Sequence, residues 1–244
     1  MFGFSRPSLP VTPEQRAWVD GRAKWIADEF GEARLRAVRA IAPTPEFFPD
    51  RFDGKEADVL PIFERVCGYM GVDPGRVDVY LYDDGRPDLG PGFLIQGDRR
   101  GAAGLYHGRT DQREQLGIER SNLQEPLSLV ATIAHELGHV LLLGDGRISS
   151  EAEDHEPLTD LLTVFLGLGV FGANAAVHDA NWRRGGWSGW KVGRQGYLSQ
   201  QEWGYALAKF AMSRGEPKPA WAAHLRPDIR ALFKESVRCL ARGD

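Results

Sequence analysis

The run from Leu127 to Leu143 constrains this chain more than any other stretch. It is apolar apart from two hydroxyl residues and three ionisable side chains, His135, Glu136 and His139. Its length and lack of internal proline predict a helix from Pro126 to Gly144. A helix that is apolar nearly all the way round has to be buried. Two histidines and a glutamate on such a helix are costly unless each finds a partner. The rest of the chain must therefore fold so that other elements bring those partners in.

His135-Glu136-Leu137-Gly138-His139 is an H-E-x-x-H motif. Histidines four apart share one helix face, with Cβ atoms about 5–6 Å apart, so both rings can reach one cation. A catalytic zinc takes three protein ligands and leaves one position open. Glu156 is the leading third ligand: enough chain separates it from His139 to end one helix, turn, and return alongside. Asp160 lies one turn later on the same face, placed to accept the outer N–H of a ligand histidine and fix its tautomer. His155 is the alternative third ligand, giving a three-histidine site. Holding a purely structural zinc requires no carboxylate at position 136, so Glu136 is expected to handle a proton. Gly138, unfavourable inside a helix, is explained by close approach of another element.

H-E-x-x-H followed by Glu156-Pro157-Leu158-Thr159-Asp160, an E-x-x-x-D, resembles the gluzincin zinc metallopeptidases. The spacing also resembles small bacterial peptidase domains that cleave repressor-like regulators. The resemblance covers residues 126–172 only. It implies zinc ligands His135, His139 and Glu156, a supporting Asp160, Glu136 as general base, and a peptide or protein substrate. One departure is Pro157, which requires Glu156 to sit in the first turn of its helix. His178, Tyr197 and His224 are the candidates for stabilising the oxyanion. A strand near Ile118 is expected to offer its edge to an extended substrate, as in the resembling enzymes.

Thr12, Pro13 and Gln15 form a capping box that opens a first helix ending at Gly31, and Ser199 with Glu202 opens another to about Arg214. Further helices are expected over 55–70 and 227–242. Val77 to Tyr82 reads as a strand, with short strands around Phe93-Leu94-Ile95 and Gly104-Leu105-Tyr106. The expected class is thus α+β and mostly helical, with a small sheet before a zincin-like core. The chain is read as one domain: a helical and β portion over 1–110, the core over 111–180, and C-terminal helices over 181–244.

A net charge of −4 gives no general reason to expect nucleic acid or an anionic membrane as partner. Two widely separated cysteines, Cys67 and Cys239, do not make a disulfide framework, and no secretory signal is visible, so a cytoplasmic protein is expected. Gly167-Leu168-Gly169-Val170-Phe171-Gly172 formally matches a dinucleotide fingerprint, but helix rather than strand precedes it and no acidic residue follows at the required distance. Its glycines are expected to let helices approach. The uncharged run Leu161 to Val177 is expected to be a buried helix rather than a membrane span. The tryptophan- and base-rich stretch 182–194 is expected to be a loop that packs on the core. The alternative to a peptidase is a non-catalytic zinc-containing binding or regulatory protein that keeps the helix pair as scaffold.

Overall fold

The computed structural model describes residues 8–83, 104–110, 112–182 (backbone alone from 177) and 197–243. The strand expected at 93–95 and the tryptophan-rich stretch from 183 to 194 lie outside these residues. Among the described residues the fold is α+β and mostly helical, with one three-stranded sheet.

Helix α1 (Pro13–Phe30) starts at the reciprocal Thr12–Gln15 capping box and stops at Gly31. A short helix, α2 (Glu32–Ala37), then leads into the proline-rich loop. Helix α3 (Val59–Met70) buries Val59, Phe63, Val66 and Met70 on one face and ends at left-handed Gly71. Strand β1 (Val77–Tyr82) follows, and a hairpin supplies β2 (Gly104–Thr110) and β3 (Arg113–Glu119). The strand order is β1-β3-β2, with β3 parallel to β1 and antiparallel to β2. The strand at Ile118 is therefore central, hydrogen-bonded on both sides, and does not offer an edge. The expectation of a free edge there is overturned because Ile118 is paired with Leu81 of β1 on one side and Gly104 of β2 on the other.

Helix α4 (Pro126–His139) begins at its proline and continues as a wider π-type turn over Val140–Gly144. Leu129, Ile133, Leu137 and Val140 are fully buried. Burying each such side chain contributes about 1.5–3 kcal/mol relative to exposure. Around this helix lie α3, the sheet, α5 (His155–Phe165) and α6 (Gly169–Trp182). Helices α7 (Gln200–Ser213), opened by the Ser199–Glu202 capping box, and α8 (Pro227–Leu240) pair with each other and close the core. Pro126–Gly144 has the length and apolarity to cross a membrane, but 72% of it is buried inside the fold.

The run Leu161 to Val177 is not one helix, as expected from its composition, but two. The break is at Gly167, whose φ of +87° is left-handed, and whose carbonyl accepts the Ile41 N–H at 2.8 Å. A Cβ there would lie 2.2 Å from the Arg39 carbonyl oxygen. Backbone from the proline-rich loop thus occupies the space a side chain would need. Gly167→Ala should lower the stability by about 2 kcal/mol or more, since strained backbone and overlap add. Urea unfolding measures this, and an unchanged midpoint would contradict the tight turn.

Candidate metal centre

The helical repeat puts His135 and His139 on one side of α4, where α5 crosses close by. That approach depends on Gly138: a Cβ there would lie 2.7 Å from Thr159 Cγ2. The contact is the close packing expected for this glycine. Glu156 is the second residue of α5 and Pro157 the third, so the proline sits where its missing N–H costs nothing. The start of α5 is clamped to α1. Arg22 donates to both carboxylate oxygens of Asp154 at 2.7 Å, and Trp18 Nε1 donates to one of them at 2.9 Å.

Glu156 Oε2 lies 3.1 Å from His135 Nε2 and 3.3 Å from His139 Nε2. The three ligand-type atoms fall within 4.8 Å of one another, and the group could hold a metal ion. Tetrahedral bonds of about 2.0–2.2 Å set ligand atoms roughly 3.3 Å apart, which both contacts match. The outer ring nitrogens also fit. His135 Nδ1 meets Asp160 Oδ1 at 2.8 Å. The Thr159 hydroxyl donates to the His155 carbonyl at 2.8 Å, which leaves its oxygen to accept from His139 Nδ1 at 3.3 Å. With both Nδ1 atoms donating, both Nε2 lone pairs face the carboxylate of Glu156. Three electron-rich atoms in a buried site repel one another unless a cation or a proton lies between them.

Without a metal, a proton would relieve that repulsion. Burial works against charge on His135, but hydrogen bonds to the Asp160 and Glu156 carboxylates outweigh it and hold the imidazolium well above its usual range. Burial drives His139 down to about 4, with the positive charge nearby adding to the effect. Glu156 is also opposed by burial, yet both histidines hold its carboxyl far below the usual range.

Glu136 faces the sheet. Position 104 opens β2 as glycine, and a Cβ there would come 2.6 Å from Glu136 Oε1 and 2.5 Å from Thr132 Cγ2. The carboxylate therefore rests against the backbone of β2. It is 5% exposed and one residue along α4 from the first histidine.

The remaining candidates separate clearly. His155 is the first residue of α5; its Nδ1 donates to the Ala152 carbonyl at 2.8 Å, and its Nε2 lies 3.4 Å from Glu156 Oε1. It borders the centre, but Glu156 supplies the third atom of the group, not His155. Tyr197 is at the site: its N–H donates to Asp160 Oδ2 at 2.6 Å, and its ring stacks on His135 at 5.8 Å with a 22° tilt. His224 is not; it lines a cleft with Arg39, Arg214 and Trp221 that shares no residue with the metal group. The side chain of His178 lies outside the described residues. Two residues at the centre carry no sequence signal that marks them. Thr159 lies hidden among the unspecified positions of E-x-x-x-D. Tyr106, whose ring stacks on His139 at 5.9 Å and 24°, lies in a short strand far from the motif.

No protein-family model, curated protein or solved structure matches the chain.

The protein should bind one divalent ion per chain, and His139→Ala should lose it, as elemental analysis would read. Because a metal must displace the proton that His135 holds more firmly than usual, uptake near neutral pH should release protons. Affinity should consequently rise with pH until His135 becomes neutral without help from the metal. Calorimetry in buffers of different ionisation enthalpy measures the release, and pH-independent binding would contradict the assignment.

Proposed function

We propose that this protein is a zinc-dependent metallopeptidase that hydrolyses a peptide bond in a peptide or protein substrate, with Glu136 as general base. The observation that carries the reading is the convergence of His135 Nε2, His139 Nε2 and Glu156 Oε2 beside a further buried carboxylate that is not part of the group. Two imidazoles and one carboxylate suit zinc, and three protein ligands leave a position for water or substrate.

Zinc held there would supply Lewis acidity, polarising a carbonyl and bringing the pKa of a water down to about 7. The protein's own groups divide the remaining work. Asp160 keeps the Nδ1 proton on His135, and Thr159 does so for His139, so both rings present Nε2 inward. Glu136 would accept a proton from the attacking water and return it to the departing amide nitrogen. Its burial among Thr132 and the β2 backbone restricts the directions from which water can approach that carboxylate. Tyr197, stacked on His135, is the one oxyanion candidate of the three that stands at the centre among the described side chains.

Glu136→Gln keeps the shape and removes the base. It should lower hydrolysis of a peptide library by about 10²–10⁴-fold while leaving metal content and unfolding midpoint nearly unchanged. Full activity in this variant would rule out Glu136 as base. Stoichiometric zinc with no hydrolysis of any peptide by the unaltered protein would favour a binding role for the same centre.

A further inference from the structure

The two ligand histidines are supported unequally. His135 is hydrogen-bonded to a carboxylate, Asp160, at 2.8 Å. Among the described residues, the outer nitrogen of His139, Nδ1, meets a threonine hydroxyl at 3.3 Å, and that hydroxyl's proton is committed elsewhere. A carboxylate does serve His139, but across the face of a tyrosine. Tyr106 stacks on the His139 ring, and its hydroxyl donates to Glu114 Oε2 at 2.8 Å. Glu114 is 1% exposed, and Arg109 donates to its other oxygen through two nitrogens at 2.9 and 2.6 Å. Arg76 stands 3.8 Å from the same oxygen.

Three departures from regular structure converge to make this arrangement. In a regular strand, residues three apart point to opposite faces. Tyr106 and Arg109 nevertheless both reach Glu114, because the β2–β3 register shifts by one residue between them at a bulge. That bulge contains Gly108, at φ +80°. Bulges of this kind re-aim side chains. On the other side, the π-type turn after His139 brings Gly144 against the carboxylate: a Cβ at 144 would lie 2.9 Å from Glu114 Oε1 and 3.1 Å from the Tyr106 hydroxyl. Arg109 also reaches the Gly144 carbonyl at 3.3 Å. A buried charged group is a poor way to stabilise a sheet, since an apolar side chain of similar size would serve better. Its place behind the tyrosine that stacks on His139 points to a different role.

We propose that Tyr106, held by Glu114 and Arg109, is the positioning residue for His139. It fixes the plane of the imidazole and presents an electron-rich ring to a ligand that donates density to a metal. The physical reason is that a metal-bound imidazole is electron-poor, so the π-face of a tyrosine hydrogen-bonded to a carboxylate attracts it. The inference rests on the metal reading above and deepens it by assigning outer support to the histidine that lacks a carboxylate.

The test uses the full chain, Zn²⁺ affinity by competition with a chromophoric chelator, and the visible absorption of the Co²⁺-loaded protein. His139→Ala serves as control. Tyr106→Leu should bind Zn²⁺ about 10–100-fold more weakly, the range for losing an outer partner of a ligand, and should shift the Co²⁺ bands. Tyr106→Phe, which removes only the hydroxyl, should show a smaller loss and a smaller shift in the same direction. A role in folding alone predicts a lower unfolding midpoint of the metal-free protein with unaltered affinity and bands. That result in either variant overturns the proposal. If Tyr106→Leu does not fold, Tyr106→Phe alone decides. Failure of the unaltered protein to bind either ion, or binding undiminished in the control, overturns the metal reading and this inference with it. That outcome is distinct from loss of the Tyr106 effect in a protein that still binds.

Discussion

Three lone-pair-bearing atoms face one another where little water reaches, and the fold around α4 is arranged to make that tolerable. Repulsion among them would favour turning the rings outward. The rings are held instead from behind, one by a carboxylate and one by a hydroxyl. Holding them requires α5 to lie close, which needs a glycine on α4 where α5 crosses, and requires the first turn of α5 to be anchored. The bidentate clamp between Arg22 and Asp154 provides that anchor from a helix near the start of the sequence. Electrostatic strain at the centre and packing of the helices are thus one problem with one solution.

Much of this was legible in the sequence because it is local. The capping boxes at Thr12 and Ser199, strand Val77–Tyr82 and the start of α4 at Pro126 all depend on residues within a few positions of one another. Ligand spacing within α4 follows from helix geometry alone, and the placement of Asp160 one turn after Glu156 follows likewise. The break at Gly167 was not legible. Composition there is uniformly apolar, and the turn is imposed by a carbonyl from the loop around Arg39, more than a hundred residues earlier.

The sheet shows the same limit. Strand β3, Arg113–Glu119, matches the strand expected near Ile118, but its central position is set by partners on either side rather than by its own residues. Arg109 joins Tyr106 at Glu114 through a bulge, which a list of residues does not display. Side chains that complete a site from a different element are thus the hardest to foresee, although they decide how its atoms are oriented.

The contact between Gly138 and the methyl of Thr159 sets how far apart the two helices lie, and so acts as a gauge for the ligand set. Whatever enlarges either partner wedges the helices open and draws Glu156 away from both imidazoles at once. Drift at these two positions is therefore tied together. A side chain at 138 requires a residue smaller than threonine at 159, whereas a larger residue at 159 has no such remedy, because glycine cannot shrink.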